Sequence, residues 1–154
     1  MEWTTLVATV LGAVIATGST LLVERGRRKR EREDKVSAVL RDLYGEYLAA
    51  LSQARHTFGN HTSSRGSEPS SRGRDSHDAF APCYPLRQQL TITAPAETVR
   101  ASDAAFRALR TLRDLTVAGS SKESGEYREA NACFLRELEH LHAAMRADLG
   151  IACD

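Results

Sequence analysis

The sequence predicts an all-α protein in which an N-terminal transmembrane helix continues into a cytoplasmic antiparallel bundle of three main helices. Three observations predict it. Trp3 to Val23 pass without an ionisable side chain. Arg25, Arg27, Arg28, Lys29, Arg30 and Arg32 come directly after. Beyond them, apolar residues recur at three-and-four spacing, the period of a helix with one buried face. A chain of 154 residues has room for an anchor and one modest domain. A formal net charge of +1 excludes a protein that is basic or acidic as a whole.

The opening stretch has the length of a membrane span. A helix over Trp3–Val23 would cover roughly 31 Å, against about 30 Å of hydrocarbon. Trp3 suits one interface, and Glu24 and Arg25 begin the other. Only Glu2 precedes the span, whereas the basic cluster lies after it. Lysines and arginines beside a span stay in the cytoplasm, so the N-terminus is expected outside and the rest of the chain inside, at the cell inner membrane. A cleaved signal peptide would need a basic leading region, which is missing. A soluble core helix would have to be buried all round in a small chain.

Within the span, Thr4, Ala8, Gly12, Ala16 and Thr20 recur every fourth residue and share one helix face. Small residues at that spacing let two helix backbones approach, so self-association through the span is expected. The basic residues Arg25, Arg27, Arg28, Lys29, Arg30 and Arg32 are expected to fix topology and lie against anionic membrane lipid. The alternative is a soluble or peripheral helical protein that binds nucleic acid or anionic lipid through residues 25–35. No aromatic or base-reading residue accompanies that run, which argues against nucleic acid.

The remaining elements are read in chain order. Lys35 to Phe58 reads as the first bundle helix, with Val36, Val39, Leu40, Leu43, Tyr44 and Tyr47 on its apolar side. Residues 59–78, GNHTSSRGSEPSSRGRDSHD, hold almost no apolar side chain and read as a flexible Ser/Gly/Arg loop. Pro82 and Pro85 interrupt the next segment, and Leu86–Thr93 is expected as a short helix. Another helix starts at Pro95, where a missing N–H does no harm. Its apolar side is Val99, Phe106, Leu109, Leu112 and Val117, and Gly119-Ser120-Ser121 ends it. The last helix, Lys122 to Leu149, carries a heptad-like seam of Tyr127, Asn131, Phe134, Leu138, Leu141 and Met145. Gly150 closes it. The expected organisation is therefore an anchor over 1–24, a basic juxtamembrane and first bundle helix over 25–58, the loop over 59–78 and the remaining helices over 79–154.

Reactive chemistry is hard to find. Glu137 and His140 form an ExxH spacing, but a carboxylate-bridged metal bundle repeats that element, and it occurs here once. Leu138 and Leu141 claim the inward side, so Glu137 and His140 should face water. His140 and His142 are two apart and point to different sides of a helix. Cys83, Cys133 and Cys153 are odd in number and widely spaced, which argues against a disulfide framework. Cys83, between two prolines, reads as exposed. Cys133 reads as a packed small hydrophobe. No nucleophile elbow, phosphate loop or dinucleotide fingerprint occurs. The expectation is a non-enzyme with no cofactor and no metal, acting through an unknown protein partner.

Trp3, the run Arg27 to Glu33 and the stretch Tyr44-Gly45-Glu46-Tyr47-Leu48-Ala49-Ala50 carry a resemblance, as do Ala94–Val99 and Ala143–Gly150. With these features the chain resembles a loose group of uncharacterised bacterial single-pass membrane-anchored helical proteins. The resemblance touches most of the chain outside 59–78. It implies an anchor with a cytoplasmic bundle and no established activity.

Overall fold

The computed structural model describes residues 35–62 and 69–151, all of it helix and turn without a strand. Residues 35–62 are helical throughout and are labelled α1. Four helices come after it: α2 (Pro69–Phe80), α3 (Cys83–Thr93), α4 (Ala96–Val117) and α5 (Gly125–Asp148). The chain divides into two compact units, 1–39 and 40–154. In the first, the described residues 35–39 are helical, and Val36 and Val39 are 59% and 65% exposed. The second is an all-α bundle.

α1 enters the bundle core at Leu43, Tyr44, Tyr47, Leu51, Ala54 and Phe58, all buried. From Tyr44 on, their steps alternate between three and four, so one side of the helix is continuously apolar. The sequence pattern starts that stripe at Val36, but burial starts only at Leu43. Asp148, the last residue of α5, meets Tyr44.

Of the segment 59–78, read as a flexible loop, residues 63–68 lie outside the described residues, and the described remainder is helical. Residues 59–62 finish α1, and 69–78 lie within α2. Proline suits the first position of a helix, and Pro69 stands there. At its other end α2 buries Phe80 completely. The Phe80 ring lies 4.8 Å from Phe106 and 6.5 Å from Phe58, tying α2 to α4 and α1. Arg113 covers another side, with its guanidinium 5.0 Å from the ring centroid. One aromatic residue thus anchors an otherwise polar helix.

α3 accommodates both prolines. Pro82 is the N-cap and Pro85 falls in the first turn, where backbone N–H groups have no helical acceptor anyway. Cys83, expected to be exposed, is therefore the first helical residue and is fully buried with Leu90. The helix ends because Pro95 forces its predecessor out of the helical region. Ala94 accordingly sits at φ −93°, ψ 156°.

α4 is the central helix, contacting α2, α3 and α5. It buries small or hydroxyl residues as well as apolar ones: Thr98, Ser102, Ala105 and Ala108 beside Phe106, Leu109 and Leu112. Val117, expected on the apolar side, is 44% exposed, and Thr116 is buried instead. The Thr116 hydroxyl survives burial by donating to the Leu112 carbonyl at 2.8 Å.

α4 and α5 each end at a left-handed glycine. Gly119 (φ +84°) donates to the Thr116 carbonyl while Ser120 donates to Leu115. Gly150 (φ +67°) donates to Ala147 while Ile151 donates to Arg146. These paired bonds satisfy carbonyls left over at a helix end. The start of α5 falls at Gly125, not Lys122. Ser124 is the N-cap, and its hydroxyl accepts from the Tyr127 N–H at 3.2 Å.

Candidate interaction surface

α1 and α5 run antiparallel and are clasped by hydrogen bonds at two levels. At one end the Tyr44 hydroxyl donates to Asp148 at 2.5 Å. Midway, Arg55 Nε donates to Asn131 Oδ1 at 2.8 Å. At the far end burial raises the Tyr127 phenol, against a lowering by the Thr62 and Arg55 side chains. Asn131, an oddity on an apolar seam, is thus a register-fixing partner for Arg55.

α4 contributes the interior polar contact. Ser102 Oγ donates to the Tyr47 hydroxyl at 3.1 Å, and that hydroxyl faces the Ser102 carbonyl at 3.4 Å. Burial pushes the Tyr47 phenol up to about 12, against a small lowering by the Ser102 bond. Burial also raises the Tyr44 phenol, and the Asp148 carboxylate adds to that rise. Both hydroxyls are therefore neutral donors at any physiological pH.

Around the Tyr44–Asp148 level the two helices leave a groove of about 480 Å³. Tyr44 and Leu48 from α1 and Met145 and Leu149 beside them form its apolar floor. Gly45 opens it: a Cβ there would meet nothing within 4 Å. Arg41, Arg146 and His142 stand around the groove with a single carboxylate, Glu139. The arrangement suits an apolar side chain flanked by negative charge.

The candidate reactive groups do not assemble into a centre. Glu137 Oε2 and His140 Nδ1 are 3.5 Å apart, with His140 72% exposed, and they pair with each other on the outside of α5. Among the described residues no group of three histidine, cysteine or carboxylate side chains could hold a metal ion. Burial pushes the Cys83 thiol up to about 11, which keeps it protonated and poorly nucleophilic at neutral pH. Cys133 is half-buried and packed against the core. His61 Nε2 lies 3.8 Å from Asp75, joining the end of α1 to α2. The Arg87–Asp103 pair, at 2.8 Å, joins α3 to α4, and Arg87 also covers Phe106 at 4.7 Å.

Thr4, Ala8, Gly12, Ala16 and Thr20, expected to pack a span, lie outside the described residues. So do Arg25, Arg27, Arg28, Lys29, Arg30 and Arg32, and Cys153. Among the described residues no helix is long and apolar enough to cross a membrane. The sequence does not announce the groove. Its two walls lie about a hundred positions apart in the chain, and only the glycine within an apolar stripe at 45 hints at an opening.

Comparison of the chain with protein-family models, with curated proteins and with solved structures finds no match.

Proposed function

We propose that this chain is a single-pass membrane-anchored protein whose cytoplasmic helical bundle acts by binding another protein, without catalysis. The observation that carries the reading is the uncharged run Trp3–Val23, bounded on one side by the basic cluster Arg25–Arg32. Its length matches a bilayer, and the charge asymmetry puts the bundle on the cytoplasmic side. Small residues at Thr4, Ala8, Gly12, Ala16 and Thr20 supply a face for a second copy within the membrane.

The α1–α5 groove supports the binding half of the reading. Its apolar floor and basic rim favour a partner helix that presents an apolar residue flanked by Asp or Glu. The Tyr44–Asp148 bond at the groove and the Arg55–Asn131 bond farther along tie its two walls together. A preformed groove binds at less entropic cost than one that must be ordered.

The test is cellular imaging of the intact chain fused at its C-terminus to a fluorescent protein that matures only in the cytoplasm. Signal at the cell rim that survives an alkaline wash of isolated membranes is the expected result. Diffuse signal would overturn the anchor and its orientation together.

A further inference from the structure

We infer that a second cleft, at the far end of the α1–α5 pair, is a binding site for a small phosphate-type anion. The cleft has a volume of about 250 Å³ and lies between residues 55–60 of α1 and the start of α5. Arg55, Lys122 and Arg128 all line it, and His56 stands beside them. No carboxylate is among the lining residues. Glu123 and Glu126 are exposed nearby but do not line it. Among the described residues, none of the three cations forms an ion pair with a carboxylate. Elsewhere in the bundle, Arg87 and Arg113 each have an aspartate at 2.8 Å or less. Three like charges around one small cavity repel one another unless an anion joins them.

The geometry is partly organised before any ligand arrives. The bond from Arg55 Nε to Asn131 fixes the plane of its guanidinium and leaves the two terminal nitrogens as donors. That fork matches two oxygens of a tetrahedral anion. Asn131 itself also lines the cleft. The positive end of the α5 dipole lies at the same place, adding to the field.

Size and chemistry narrow the ligand. Cofactor-sized pockets begin near ~300 Å³, so the cleft takes a phosphate or diphosphate and not a whole nucleotide. The phenol ring of Tyr127, which lines it, is 4% exposed and so offers no open face for a base.

The inference is independent of the membrane reading and is tested on the full chain purified in detergent. Isothermal titration with inorganic phosphate and with diphosphate is carried out at constant ionic strength, using sulfate as a charge control. Saturable binding is expected, tightest for diphosphate. Lys122→Gln and Arg128→Gln are each expected to weaken it about tenfold or more, the worth of one charged hydrogen bond. Both side chains are exposed, and losing either one relieves a like charge, so the melting temperature without anion should not fall. Arg107→Gln removes an equal charge from the exposed face of α4 and should leave binding unchanged. Absence of saturable binding would overturn the site. So would equal weakening by Arg107→Gln, because the effect would then be net charge and not the cleft.

Discussion

The hydroxyl of Tyr44 donates to the carboxylate of Asp148, 104 residues along the chain, at 2.5 Å. This bond joins α1 to the last residue of α5, before the Gly150 turn. A hydrogen bond to a charged acceptor contributes about 1.5 to 3 kcal/mol, more than a neutral pair. Tyr44→Phe keeps the ring in the core and removes only the bond. It should lower stability by about that amount, read from the urea midpoint by circular dichroism. Asp148→Asn should cost less, because an amide oxygen still accepts. A Tyr44→Phe loss under about 0.5 kcal/mol, the size of ordinary surface changes, would show that the contact is only incidental.

Alkaline stability should be set by the buried phenols. Tyr47 is fully buried, and its phenol is pushed up from 10 to about 12. In that interval the unfolded chain gives up the proton and the folded chain keeps it. The stabilisation is complete below pH 10 and is lost as pH rises toward about 12. A rise of that size is worth about 2 to 3 kcal/mol. Tyr44 moves the same way, through burial first and Asp148 second. Denaturation midpoints should therefore fall as pH climbs from about 10 toward about 12, and Tyr47→Phe should flatten that fall. A Tyr47→Phe variant that tracks the unaltered chain across this range would remove Tyr47 from the account.

The two left-handed glycines separate backbone strain from crowding. Alanine at either position costs roughly 1 to 2 kcal/mol for its backbone angle alone. Beyond Gly150 the space is open, with nothing within 4 Å of an added Cβ. At Gly119 that Cβ would lie 2.9 Å from Arg72 Nη1, so the Arg72 side chain must move away from the end of α4. Gly119→Ala should thus be more destabilising than Gly150→Ala. The excess should vanish when Arg72 is changed to Met, as a double-mutant cycle would record. Equal costs in both backgrounds would mean that Arg72 gives way freely.

How much of the fold is legible in the sequence depends on what periodicity encodes. The α5 seam, the Pro95 start and the glycine stops are readable, because each depends on a few neighbouring residues. Periodicity names a helix's apolar side but not how far burial extends along it: Val36 and Val39 belong to the stripe and are exposed. α2 is hidden because Phe80 is the large apolar side chain that holds it, and that signal falls after the polar run. Cys83 reads as exposed because prolines suggest loops, whereas Pro82 and Pro85 open a helix. The groove and the basic cleft each pair residues far apart in the chain, and no local motif announces either.

Gly45 offers a way to separate fold from binding. It is mid-helix in α1, where glycine costs about 0.5 to 1 kcal/mol relative to alanine, and the space beside it is empty. Gly45→Leu should therefore raise the melting temperature while its side chain fills the groove between Tyr44 and Met145. If the groove holds a partner helix, a photo-crosslinker at Leu48 should give a discrete adduct in living cells, and Gly45→Leu should remove it. Arg41→Glu reverses a rim charge without filling the floor and should weaken the same adduct, because it would repel an acidic partner. An adduct that persists in a stabilised Gly45→Leu protein would place the partner elsewhere on the bundle. Gains in stability together with loss of the adduct would show that this glycine is kept for contact at a cost to the helix.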